Sequence, residues 1–439
     1  MFNLSSREDL LKKSKNDLVD LLYKQNEELK KVEHELKKYK NSNTPSSANK
    51  HLKASTQGLR EKKGARRGAP KGHQGKTFEW PATNEVIDVP AVCCAHCNST
   101  NIRSTGHFQI KKLICVRPAQ TIIKEYHRQE CTCLDCHKIT LAKHKDMPEK
   151  GNYDIQIQSL INYYKFKMRM PLALVAEVMN NVHSVPITPA TVLAITKRAS
   201  DKLAPEYKKL EESIKVQRVV NSDETSCSVQ GINHWIWVFC NSLISLFKFQ
   251  KDRGGDIVEQ VLGPGFKGGL VNDGWGTYKS YADQNNVPMQ RCWSHLTREV
   301  EDECKEKHPQ LYNWCCDISG MVEQGKAYLQ EKRRIDAHKK CSEEMALLIS
   351  QLRNHRHLRK LANKIERGAE HWFTCILHPE LPKDNNEAER SLRPFVVMRK
   401  IMGGLRSESG QRVYEIMMSL VSTWQKQGKN VFSTLQATL

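Results

Sequence analysis

The 439-residue sequence has no uninterrupted apolar run long enough to cross a bilayer. Its most apolar region, 235–249, is broken by Asn241, Ser242 and Lys248, which marks the core of a sheet rather than a span. Met1 to Leu11 carries no apolar stretch of secretion-signal length, so the cytoplasm, close to the nucleoid, is the expected compartment and no membrane partner is expected. Acid is scarce relative to base, with 49 Asp and Glu against 69 Lys and Arg, a formal net charge of +20. An imbalance of that size favours a polyanionic partner, most commonly nucleic acid. Cysteine is not scarce, and 15 thiols without a secretion signal suggest metal ligation rather than disulfides.

What is present falls into segments. Over residues 1–40, Leu18, Leu22, Gln25, Leu29, Val32, Leu36 and Tyr39 alternate spacings of four and three. That is the seam of a short coiled coil, or the apolar stripe of a helix packed on the rest of the protein. Residues 41–77 form a linker with Pro45, Ser46, Ser47 and the basic cluster Arg60, Lys62, Lys63, Arg66, Arg67 and Lys71. Such a segment cannot bury a core; it reads as a disordered basic arm that tracks DNA phosphates, or as a solubilising tail. In 78–150, Cys94-x-x-Cys97 and Cys133-x-x-Cys136 supply four thiolates, the donor set of one tetrahedral structural Zn2+. Alternation over Ile110 to Tyr126 predicts a hairpin between the two pairs. Residues 151–212 read as helical. There, Pro171 to Met179 and Thr188 to Ala199 make a helix-turn-helix, or, because Val192, Leu193 and Ile195 are apolar, a structural layer.

Acidic residues then stand at telling places. The run from Val216 reaches Asp223-Glu224-Thr225, which is predicted to end a strand. His234 to Cys240 and Leu243 to Phe249 continue as an antiparallel meander, Asp256 to Leu262 reads as a helix, and Gly269 to Asp273 as a buried strand closed by an acid. Three antiparallel strands, a helix and a further strand are the plan of an RNase H-like α/β core, here 213–299. Residues 300–383 lack strand runs and read as a helical insertion, and 384–439 return to the core. In this last part Asp384 is a predicted N-cap with Glu387 as its capping-box partner, so a helix starts at Asn385 and bends or stops near Pro394. Asn386, Glu389, Arg390 and Arg393 share one face of it. Beyond it, Arg399-Lys400 and Gly403-Gly404 predict a basic turn where backbone approaches phosphate. A final helix is expected over Arg412 to Lys426.

Carboxylates from two strands and a helix suit Mg2+, or Mn2+, held against phosphate, and two such ions clamp an in-line displacement. With Asp223-Glu224-Thr225, Asp273-Gly274, Cys292-Trp293-Ser294-His295 and the Asp384-to-Pro394 stretch on the page, the sequence resembles the DDE transposases of the insertion sequence 66 family. The resemblance implies Asp223, Asp273 and Glu389 as ligands of two metal ions. It also implies a chain that cuts the ends of its own element and joins the freed 3′ ends to target DNA. Asn386, Arg390 and Arg393 would orient Glu389 or grip the scissile strand, and His295 and Arg298 would organise the site near DNA. The expected partners are double-stranded DNA, a second copy or a higher oligomer on it, and accessory proteins of the same element. The rival readings are a structure-selective nuclease on the same fold and a silent zinc DNA-binding protein descended from a transposase.

Overall fold

The computed structural model describes residues 17, 26–28, 81–115, 121–254 and 256–439. The coiled-coil seam, beyond exposed helical positions at Asp17 and 26–28, and the whole basic cluster of the linker lie outside the described residues. Two compact units are formed, one by 46–118 and the other by 1–45 with 119–439.

In the first unit, residues 81–115 form no strand, and Ile110 and Leu113 are exposed. Among the described residues of Ile110 to Tyr126, which are 110–115 and 121–126, no strand forms, so the predicted hairpin is not seen there. Alternation alone makes a strand only when another strand lies beside it to pair with. The hairpin of this region lies later, in the second unit, where β1 (Glu130–Thr132) pairs antiparallel with β2 (Ile139–Leu141) and Cys133-x-x-Cys136 occupies the turn.

The second unit continues with α1 (Ile155–Asn162), extended by a π turn over Tyr163–Lys167, then α2 (Leu172–Asn181) and α3 (Pro189–Lys215). The α3 helix starts where expected, with the Thr188 side chain accepting from the Thr191 amide and Pro189 in the first turn. It then runs on for 27 residues. Val192 and Ile195 are buried against α1 and α2, while Leu193 faces outward.

The central sheet is built from β3 (Val219–Val229), β4 (Ile232–Cys240), β5 (Ser245–Gln250), β6 (Gly269–Asn272) and β7 (Met289–Arg291). Helix α4 (Asp256–Leu262) precedes β6, and α5 (Gly276–Asn285) precedes β7. The strand order is β5-β4-β3-β6-β7, with β3, β4 and β5 antiparallel and β6 and β7 parallel to β3. Asp223 lies inside β3 rather than at its end. The strand continues because its pairing with β4 runs unbroken to Val229↔Ile232.

A helical region follows, made of α6 (Trp293–Cys304), α7 (Pro309–Ala327), α8 (Glu331–Arg353), α9 (Arg359–Glu366) and α10 (Thr374–Leu377). It has its own core around Leu311, Ile318, Leu348 and Phe373. The chain then returns to the sheet in α11 (Asn386–Met402), α12 (Glu408–Lys426) and α13 (Val431–Thr438). Helix α11 runs through Pro394 instead of stopping there, because Leu392, Phe395 and Met398 on either side of the proline are buried in the main core. On the edge strand, the amides of Ser245, Phe247 and Phe249 donate to Thr423, Ser419 and Glu415 of α12. One face of a helix thereby closes the open ladder of β5.

Candidate active site

Parallel pairing sets the first two acids side by side. Asn221 of β3 is in register with Val271 of β6, so Asp223 within β3 and Asp273, one residue past the end of β6, come out at the same end of neighbouring strands. Strands of this kind are about 4.8 Å apart.

The third acid is brought by α11. Arg399 near its end donates to Thr225 Oγ1 at 2.9 Å and to the Ser226 carbonyl, which lays the helix on the face of β3 that carries Asp223 and Thr225. Its start is fastened by Asn385, a fully buried amide. Asn385 Nδ2 donates to the Ser222 carbonyl at 2.8 Å, its Oδ1 accepts from Asn221 Nδ2 at 3.1 Å, and its backbone N–H points to Cys292 Sγ at 3.1 Å. Glu389, one turn on, therefore faces the sheet acids.

Their mutual field is visible in Asp223. Burial and the neighbouring charges of Glu224, Asp273 and Glu389 push its carboxyl up to about 8, against the bond it accepts from the Glu224 amide. Carboxylates crowded this way are costly alone and are relieved by a divalent cation. The oxygen donor set fits Mg2+.

Glu224, on the opposite face of β3, is a fourth acid. Burial and Asp273 push its carboxyl upward, while Tyr278 Oη donates to it at 2.7 Å and Arg253 Nε at 2.8 Å. The Arg253 guanidinium lies 3.6 Å over the Trp275 ring and 4.7 Å over that of Trp235. Arg291 is buried beside Asp273; a Cβ on Gly274 or Gly368 would collide with its guanidinium, so both glycines make its berth. Sequence reasoning missed Glu224, Arg253, Arg291 and Asn385. Only the adjacency of Glu224 to Asp223 signalled any of them.

Several expected roles change. Asp384 does not cap its own helix; its carboxylate accepts from Ser294 N at 2.6 Å and Ser294 Oγ at 2.7 Å, capping α6 instead. Glu387 forms no capping box, since its oxygens are taken by Lys426 and Arg390, both at 2.7 Å. Arg390 is thereby turned toward Glu387 rather than Glu389. Arg399 is buried and spent on β3, so it is not a phosphate contact, and Gly404 approaches the Ser228 carbonyl rather than a phosphate. Lys400, Asn386, Arg393 and Arg298 are exposed. His295 meets Glu389, Nδ1 to Oε1, at 3.5 Å.

The two cysteine knuckles share one geometry. The amides of Asn98 and His137 donate to the carbonyls of Cys94 and Cys133, and the Cys94 and Cys133 amides donate in turn to the carbonyls of Ser99 and Lys138. Asn98 and His137 both adopt left-handed φ, at 57° and 54°. Backbone donors of His96 and Cys97 lower the Cys94 thiol, and those of Cys136 and Asp135 lower Cys133.

Comparison with known proteins gives the class first. The family model described as Transposase IS66 family matches residues 150–413, more than half the chain. That range holds the sheet, its acids and the helical region. The chain belongs to the IS66 transposase family. It is also 31% identical over 83 residues to a protein of Sinorhizobium fredii (strain NBRC 101917 / NGR234) named uncharacterized protein y4jO. That match spans 19% of this chain and 26% of the relative, about a quarter of its length. Among the described residues no helix is long and apolar enough to cross a membrane.

Proposed function

We propose that the protein cuts the ends of its own element and transfers the freed 3′ ends to target DNA at a DDE centre of Asp223, Asp273 and Glu389 on an RNase H-like core. The observation that carries this reading is the register of β3 with β6, which pairs Asp223 and Asp273, together with the Asn385 anchor that presents Glu389 to them. Bound Mg2+ or Mn2+, two ions, would supply charge to the attacking and leaving oxygens of the displacement.

The chain's own residues hold and orient. Asp223, Asp273 and Glu389 bind the cations, and their mutual repulsion makes that binding favourable. Arg253, clamped between two indoles, keeps Glu224 fixed beneath Asp223. Exposed Asn386, Arg393, Lys400 and Arg298 offer donors for a DNA backbone. The four thiols of Cys94, Cys97, Cys133 and Cys136 enter this reading as the sequence's donor set for one structural Zn2+. The partners in this reading are double-stranded DNA, further copies of the chain and accessory proteins of the element.

The test uses DNA carrying the element ends, with Mg2+ present. Nicking at the ends followed by joined target products is expected, and Asp223→Asn should abolish both while retaining end binding. Cleavage without joining would support the structure-selective nuclease instead. Full activity in Asp223→Asn would overturn the centre.

A further inference from the structure

We propose that Cys292, His295 and Glu389 form a second cation site, for Zn2+ or a similar borderline-soft divalent ion, adjoining the oxygen-ligated centre and sharing Glu389 with it. One ligand atom from each of the three lies within 4.8 Å of the others. Cys292 ends the β7 connection and His295 follows on the first turn of α6, three residues on, so both present to one side. Glu389 reaches them from the first turn of α11.

Two polar atoms here make no hydrogen bond and meet only each other, as a long ion pair. His295 Nδ1 and Glu389 Oε1 are both buried and accept or donate no hydrogen bond, and their 3.5 Å separation is too long for a bond between N and O. Leaving such atoms unsatisfied typically costs about 1–3 kcal/mol each. A cation between them satisfies both. In a tetrahedral zinc site with bonds of about 2.0–2.3 Å, ligand atoms lie roughly 3.5 Å apart, so the side chains need only close slightly around the ion.

The donor set chooses the metal. Sulfur, imidazole nitrogen and one carboxylate oxygen suit Zn2+, whereas Mg2+ takes oxygen ligands. The frame is already fixed. Asp384 caps α6 through Ser294, and the Asn385 amide points to Cys292 Sγ as an outer-shell donor. A metal bound here would fix Glu389 through Oε1 and leave its other oxygen free for a second ion. The site stands on these three side chains and does not depend on the catalytic reading of Glu389.

The full chain, stripped with chelator, is titrated with Co2+ while sulfur-to-cobalt charge-transfer absorption and bound cobalt per chain are measured. His295→Gln, at a half-buried position, is expected to lose one equivalent of cobalt and its share of the absorption. Cys292→Ser should do the same, and melting curves will show whether this buried change folds. Cys133→Ser should lose a different equivalent, belonging to the knuckles, and, with excess Mg2+ filling the oxygen-ligated centre, Asp223→Asn should lose none. A large excess of Mg2+ should leave the cobalt at Cys292 in place. Unchanged cobalt stoichiometry and spectrum in His295→Gln, or displacement by Mg2+, would overturn the site. Either result would leave the cleavage test of Asp223 to be judged separately.

Discussion

At the residue scale, two glutamates two positions apart on α11 have different jobs. Glu389 faces the sheet acids, whereas Glu387 is half-buried between Lys426 and Arg390. Burial raises the Glu387 carboxyl, but the bonds from Lys426 and Arg390 outweigh it and hold the group below the usual carboxylate range. Glu389→Gln removes a charge that binds a hard cation; a loss of about 3 kcal/mol of transition-state stabilisation slows cleavage roughly a hundredfold. Glu387→Gln should stay within a few-fold in cleavage while lowering the melting temperature, because it weakens the link to α12. A dead Glu387→Gln beside an active Glu389→Gln would refute the assignment. Lys165 offers a separate test through pH. It is buried in the π turn, bonded to the Met170 carbonyl at 3.1 Å, and burial lowers its amine to about 8 from the usual 10.5. The charged form is the one disfavoured in the fold, so its penalty is full below about 8 and is relieved as pH rises toward 10.5. That window corresponds to about 3 kcal/mol at most. Lys165→Met should therefore raise the melting temperature at neutral pH, with the gain shrinking through that window. A gain independent of pH would refute it.

At the element scale, strands and most helices were legible because period and punctuation are local. The meander, the helix at Asp256 and the capped start of α3 at Thr188 needed only neighbours in sequence. What escaped was whatever a partner element decides. Asp384 looked like the cap of its own helix, yet Ser294 of α6 claims its carboxylate. Pro394 looked like a stop, yet the buried row Leu392, Phe395 and Met398 carries α11 past it. Thr423, Ser419 and Glu415 sit four apart on α12, but only the position of β5 shows that they satisfy its free amides. The two aspartates were legible as acids in β-like runs; their pairing needed the parallel register. Arg399 is the sharpest case, since beside Lys400 it reads as a phosphate contact and in the fold it is a buried clasp on β3. Arg399→Ala should cost about 2 kcal/mol in denaturant unfolding by stranding buried partners, while the salt dependence of DNA binding stays as it was. Lys400→Ala should do the reverse, flattening the log–log salt slope by about 1 with little loss of stability. If Arg399→Ala flattened that slope, the clasp would be reaching DNA after all.

At the scale of the whole molecule, an excess of 20 positive charges has to be divided between parts that meet DNA and parts that only keep the protein dispersed. Many cations of the folded part are already committed: Arg253 to Glu224, Lys426 to Glu387, Arg353 to Glu366 and Arg399 to β3. The buried ones among them cannot release counterions from DNA without breaking structure, whereas the exposed Arg353–Glu366 pair opens at little cost. The cluster Arg60, Lys62, Lys63, Arg66, Arg67 and Lys71 is different in sequence terms, because Glu61 is the only acid among them. If these six side chains lie on phosphates, each contributes about −0.9 to the slope of log affinity against log salt. Replacing all six with glutamine, which keeps the length of the arm, should then flatten the slope by about 5. Fluorescence anisotropy on an end-containing duplex and on an unrelated duplex of the same length reads both slopes. The change should be equal on the two, since phosphates carry no sequence and the arm would add affinity without choice. An unchanged slope would make 41–77 a tether and move the DNA-binding surface onto the exposed cations of the folded part. A change confined to the element end would mean that the arm reads bases.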